Sequence, residues 1–363
     1  MLTRRTIEAA ASAAIESLGV DPADAARRAA DEELFAELAV KQLLRLTGAE
    51  LRARSTWAGY QGIAVARQLL EAFVHNWFRW EPSMSLIVAD AALAIARRSD
   101  RHTASLLFEA LKQRANALHL LNRCEEAFRV LDEAEDLASD TRCPRLHHAM
   151  VAYGRAAVLH ELLLGNEALE YVLQAREGFV ACNDRRRVTE TLTAETAIHF
   201  IRGRNDDARR VAETALNDSR SSGDDAAAAL NFGNLAIAVS HLGDTAMARK
   251  YLERAQSLYK VRRWQVLAVN ISASLALLKI REQGSAGLKQ METVFVEYDR
   301  LGLSGEAARS RLLAATELLT VEPQSDVESL CRAAYTRAIS LGMTSVAGDA
   351  QRLMGATSSH LPS

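Results

Sequence analysis

One pattern constrains this chain more than any other: a small residue, a larger one four positions on, and a small one three further, recurring about every forty residues. Ala89/Leu93/Ala96 opens the series. Ala127/Leu131/Ala134, Ala168/Val172/Ala175, Ala208/Ala212/Ala215 and Ala248/Leu252/Ala255 continue it, and Gly287/Met291/Val294 and Cys331/Tyr335/Ala338 are its looser final members. Successive first positions are 38, 41, 40, 40, 39 and 44 residues apart. Offsets of four and three share one face of an α-helix. Small residues there let a second helix sit close, and the large one fills the space between them.

A second apolar stretch precedes each triplet by about a dozen residues, as in Asn234–Leu242. Turn signals separate the two: Gly165-Asn166, Gly203-Arg-Asn205 and Gly243-Asp244. Glycine tolerates the left-handed conformation that ends a helix, and Asn or Asp caps the next. Cys182-Asn-Asp184 and Arg220–Asp225 read as loops between hairpins. No alternation of strand type interrupts the series, so the expected fold is all-α, an array of about seven helix hairpins.

Composition agrees. A chain of 363 residues exceeds one ordinary compact core, and an extended array is one way to use it. Hydrophobic residues make up 49% but aromatics only 6%, and five prolines leave the helices rarely broken. A formal net charge of -2 advertises neither a nucleic-acid surface nor an acidic tail. Glu8 and Glu16 interrupt any apolar leader, and no stretch has the length of a membrane span. Cys124, Cys143, Cys182 and Cys331 are scattered without a Cys-x-x-Cys pair, which fits reduced thiols in a cytoplasmic protein.

The run Asn234–Ala255 resembles a tetratricopeptide repeat (TPR) unit, with Leu235-Ala236, Gly243, Ala248, Leu252 and Ala255 at the signature positions. The resemblance extends over residues 57–341 and is strongest between 103 and 258. Ordinary units repeat every 34 residues or so. The longer period here is similar to that of kinesin light chains and of bacterial peptide-sensing regulators. The resemblance implies a right-handed superhelical solenoid over residues 55–343, with an N-terminal helical cap (residues 1–54) and a C-terminal helix and disordered tail (residues 344–363).

No Gly-rich phosphate loop, His-Glu-x-x-His or Gly-x-Ser-x-Gly motif occurs, so no enzyme, cofactor or metal centre is expected. The expected activity is that of a non-catalytic regulatory scaffold whose concave face, lined by first helices, takes a peptide or protein segment. The candidate contacts are Lys112, Asn116, His119, Tyr153, His160, Asn231, Asn234 and Asn270. Asparagine can both donate to and accept from a peptide backbone, and the resemblance to peptide-sensing regulators implies that use. The other reading of these amides is capping or bonding between helices. Lys112 and Asn116 also match the start of a carboxylate clamp, but Gly154, Glu190 and Ala194 break that pattern.

His119, His160, His199 and His241 each end a first helix, forming either a helix-terminus preference or a pH- or metal-responsive row. Trp57, Tyr60, Phe73, Trp77, Phe78 and Trp80 cluster where the cap meets the first hairpin. They read as the joining core, with Trp57, Trp77 and Trp80 as the interface of an alternative structural adaptor that homodimerises. A further alternative makes residues 1–54 a degenerate DNA-binding element turning at Leu18-Gly19-Val20. Eight Lys and Arg against nine Asp and Glu there argue against nucleic acid.

Overall fold

The computed structural model describes residues 22–54, 62–76, 82–98, 104–121, 123–162, 164–261, 265–323, 325, 327–341 and 343–358. Trp57, Tyr60, Trp77, Phe78, Trp80 and the Leu18-Gly19-Val20 turn lie outside the described residues.

All regular structure among the described residues is helical. Helices α1 (Pro22–Leu43) and α2 (Gly48–Arg54) come first. The hairpins follow: α3/α4 (Ile63–Asn76, Pro82–Arg98), α5/α6 (Ala104–Leu120, Cys124–Ala138), α7/α8 (Pro144–Glu161, Gly165–Ala181) and α9/α10 (Arg185–Ile201, Asn205–Ser222). Then come α11/α12 (Asp225–His241, Thr245–Val261), α13/α14 (Gln265–Gln283, Leu288–Arg300) and α15/α16 (Ser304–Val321, Glu328–Ser340), with α17 (Thr344–Ser358) last.

The repeating triplets form the seam of each hairpin. Every member is buried from Ala89 to Ala338 except Tyr335, which is half-buried. Side chains this small let α11 and α12, or α7 and α8, pack along their whole length. At the first end, Ala36, Ala39, Val40 and Leu43 of α1 and Leu51 of α2 share one continuous core with Val65, Leu69 and Phe73 of α3. Glu33 of α1 also accepts from Gln68 Nε2 of α3 at 3.0 Å.

The turns follow local chemistry. Asp184, Asp224 and Asp244 accept from the backbone amides of Arg187, Ala227 and Met247 at 3.1, 3.0 and 2.9 Å, each capping a helix start. Gly243 takes the left-handed conformation (φ 93) expected of it, and Asn183 does the same without glycine (φ 56). Gly165 differs from expectation. It is the first residue of α8 in ordinary helical conformation, and a Cβ there would lie 2.8 Å from Arg202 Cγ of the next hairpin. Asn166 caps nothing: its Oδ1 accepts from Arg202 Nε at 3.1 Å. Close approach between hairpins, rather than turn geometry, accounts for this Gly-Asn pair.

Candidate functional site

First helices of neighbouring hairpins touch one another along the array (α5 with α7, α9 with α11, α13 with α15), more closely than second helices of successive hairpins do. The first helices therefore line the shorter, inner side of the curve. Burial works against the Glu161 carboxylate at the end of α7, yet His119, Arg309 and His160 hold it below the ordinary carboxylate range.

The inner face is clearest on α11. Leu230, Asn234 and Ile237 follow one another at four and three residues and form the stripe of this helix left uncovered. Leu230 is 44% and Ile237 37% exposed, with half-buried Asn234 between them. Its amide makes no hydrogen bond among the described residues. At the corresponding positions α9 carries Glu190, Ala194 and Ala197, and α7 Met150, Gly154 and Ala157, so small side chains keep the floor next to α11 shallow, with the Glu190 carboxylate at one edge.

The other predicted contacts divide into two groups. Lys112 and Asn116 lie on α5 in a run of side-chain bonds. Lys112 pairs with Glu109 at 2.7 Å, Gln113 Nε2 donates to Glu109 Oε1 at 2.7 Å, and Asn116 Nδ2 donates to Gln113 Oε1 at 3.1 Å. Tyr153 packs edge-on against Phe179, its hydroxyl donates over 3.5 Å to the Glu190 carbonyl, and burial pushes its ionisation up. Asn231 and Asn270 are both bonded between helices, Asn231 fully buried and Asn270 half-buried. Asn231 is fully buried, donating to Ser219 Oγ and accepting from Thr193 Oγ1, both at 3.0 Å. Asn270 Oδ1 accepts from the Tyr298 hydroxyl at 2.9 Å.

The four histidines share a helix end but not an environment. His119 Nε2 lies 3.6 Å from Glu161 of the next hairpin, and burial lowers the proton affinity of His160. His199 is turned into its own hairpin, 7% exposed, with Nε2 3.7 Å from Glu195 and no partner at Nδ1 among the described residues. His241 is exposed beside the Phe200 ring. They therefore form no uniform row, and among the described residues no group of His, Cys, Asp or Glu could hold a metal ion.

Sequence reasoning missed two features of this face. Leu230 and Ile237 carry no chemical flag, though their spacing with Asn234 was legible. Arg281 of α13 donates from Nη1 to Ser240 Oγ of α11 at 2.6 Å and from Nε to Glu317 of α15 at 3.0 Å. One side chain thus ties three successive first helices. No helix among the described residues is long and apolar enough to cross a membrane.

Residues 191–260 match the family model described as tetratricopeptide repeat. No curated protein matches the chain in sequence. Among solved structures, a Rap protein complexed with Competence and Sporulation Factor is similar in fold, with TM-score 0.54 and 14% identity over 82% of this chain and 96% of that one. The apo form of the quorum sensor NprR from B. thuringiensis gives TM-score 0.52 and 15% identity, covering 93% of this chain and 99% of that one. NprR in complex with its cognate peptide NprX gives 0.51 and 14%, covering 80% and 98%. The chain thus carries tetratricopeptide repeats over residues 191–260 and is, as a whole, a TPR-like helical solenoid of the architecture seen in Rap and NprR.

Proposed function

We propose that this protein is a non-catalytic regulatory scaffold that takes an extended peptide or protein segment in its concave groove. The observation that carries this reading is the α11 stripe, where the uncommitted Asn234 amide stands between exposed Leu230 and Ile237. A peptide backbone must satisfy its own donors and acceptors when it leaves water, and an amide can do both whatever the side chains. The flanking apolar residues supply the contact area that fixes the register. Lys112 and Asn116 extend the same face toward the first hairpins. Similarity in fold to NprR, solved with its cognate peptide, and to Rap, solved with Competence and Sporulation Factor, supports the reading.

The test is selection of binders from a random decapeptide library, followed by fluorescence polarisation with the intact chain and with Asn234→Ala and Ile237→Asp. Selected peptides should lose about tenfold in affinity with each variant, corresponding to roughly 1.4 kcal/mol. Peptides that bind both variants as well as the parent would move recognition away from this groove.

A further inference from the structure

His199 occupies a place that its counterparts give to aliphatic side chains. Its carbonyl accepts from the Arg204 amide and so closes the turn of its hairpin. Leu118, Leu159 and Val239 do the same for α5, α7 and α11, and all three are buried. An imidazole at this position leaves Nδ1 buried with no partner among the described residues. A buried polar atom without a hydrogen bond works against the folded state, so a histidine kept there calls for a role outside packing.

A cleft of about 410 Å³ meets the ring. It opens between the second helices α8 and α10, on the side of the array away from the groove. Helix α9 contributes Glu195 and His199, α8 contributes Arg176, and α10 contributes Asp207 and Arg210. Leu192 and Val211 add apolar surface. Arg176 pairs with Glu195 and Arg210 with Asp207, so this lining carries two cations and two anions.

We propose that the cleft is a second binding site, for a small molecule bearing both an amine and a carboxylate, of which a free amino acid is the simplest. The match lies in the polar groups. Nε2 of His199 faces the Glu195 carboxylate at 3.7 Å, so the ring proton belongs there and Nδ1 is left as an acceptor. Burial lowers the proton affinity of the ring, against the pull of Glu195 and Asp207. Nδ1 therefore needs a donor, which the amine supplies with Glu195 and Asp207 as its counter-charges. The ligand carboxylate takes the guanidinium of Arg210, whose side chain is 70% exposed and able to turn inward. A lone anion would meet two carboxylates, and a lone cation two guanidinium groups. The volume is that of a small-molecule pocket.

The experiment is thermal melting of the full chain at pH 7.5 with each of the twenty free amino acids, and with ethylamine, acetate and inorganic phosphate as probes of one sign. At least one amino acid should raise the melting temperature by about 2 °C at millimolar concentration, and none of the one-sign probes should. His199→Leu should abolish that shift while itself melting higher than the parent, because it restores the residue type of the other hairpins. Arg210→Gln should weaken the same amino acid about tenfold by isothermal titration, with the melting temperature of the free chain unchanged. No shift with any amino acid, an equal shift with a one-sign probe, or a shift that survives His199→Leu would overturn the proposal. So would a His199→Leu chain that melts lower than the parent, since the histidine would then belong to the packing alone.

Discussion

Asn231 Nδ2 donates to Ser219 Oγ at 3.0 Å, deep between α11 and α10, where neither residue meets solvent. The same amide accepts from Thr193 Oγ1 of α9, so one side chain ties two successive hairpins. A buried polar group that finds every partner fixes one geometry, because any slip strands it without water. Asn231→Ala is therefore expected to destabilise the chain by about 1–3 kcal/mol. Urea denaturation should show the lower midpoint, and an unchanged midpoint would mean the pair contributes nothing.

Asn234, three residues on, should behave in the opposite way. Its side chain is committed to nothing within the described residues, so Asn234→Ala should leave stability within about 0.5 kcal/mol while weakening selected peptides. Measured side by side, the two variants separate an amide that holds the fold from one that serves the groove.

The triplet alanines set how closely helices approach. Ala215, a flanking small position of its triplet, is fully buried on α10. Ala215→Leu is expected to cost about 1–3 kcal/mol through overpacking. Calorimetry is the check, and a melting temperature equal to the parent's would show that this seam yields.

Acid should loosen the array in two windows. Burial lowers the proton affinity of His147, His160 and His199 in the folded chain. The unfolded chain then binds more protons below about pH 6.5, so stability falls as pH drops through and below that value. Glu109 and Glu161 are desolvated, yet their cationic and hydrogen-bonding neighbours hold them below the ordinary carboxylate value. Their contribution is present above about pH 4.5 and lost as pH falls further. Urea midpoints at pH 7.5, 5.5 and 4 should decline at each step, and His199→Gln should flatten the first decline. A midpoint rising from pH 7.5 to 5.5 would contradict the assigned sign.

Arg281 should govern the curvature of the groove. Arg281→Ala frees Ser240 and leaves Glu317 without its guanidinium partner. Small-angle scattering should then report a larger radius of gyration at unchanged helix content by circular dichroism. Identical scattering curves would assign the bridge to local packing alone.

The periodicity of small residues was enough to fix the helices, their pairing and the approximate number of hairpins. Each decision there is local: a face at offsets of four and three, a glycine or asparagine that tolerates a left-handed turn, an aspartate that caps. Gly243 and Asp244 play those parts as read from the sequence. Gly165 and Asn166 show where local reading stops, because their role is contact with Arg202 of another hairpin. The groove was legible only in part for the same reason. Asn231, Asn234 and Asn270 are one residue type on first helices, and whether each faces partner or core depends on Ser219, Thr193 and Tyr298 arriving from other helices. Likewise Leu230 and Ile237 are ordinary apolar residues until neighbouring helices leave them uncovered. By itself the sequence determined the repeating hairpin, because that unit is held together by residues within about forty positions of one another. Only the tertiary structure decided which side chains the superhelix turns inward, because burial depends on the packing of hairpins that are distant along the chain.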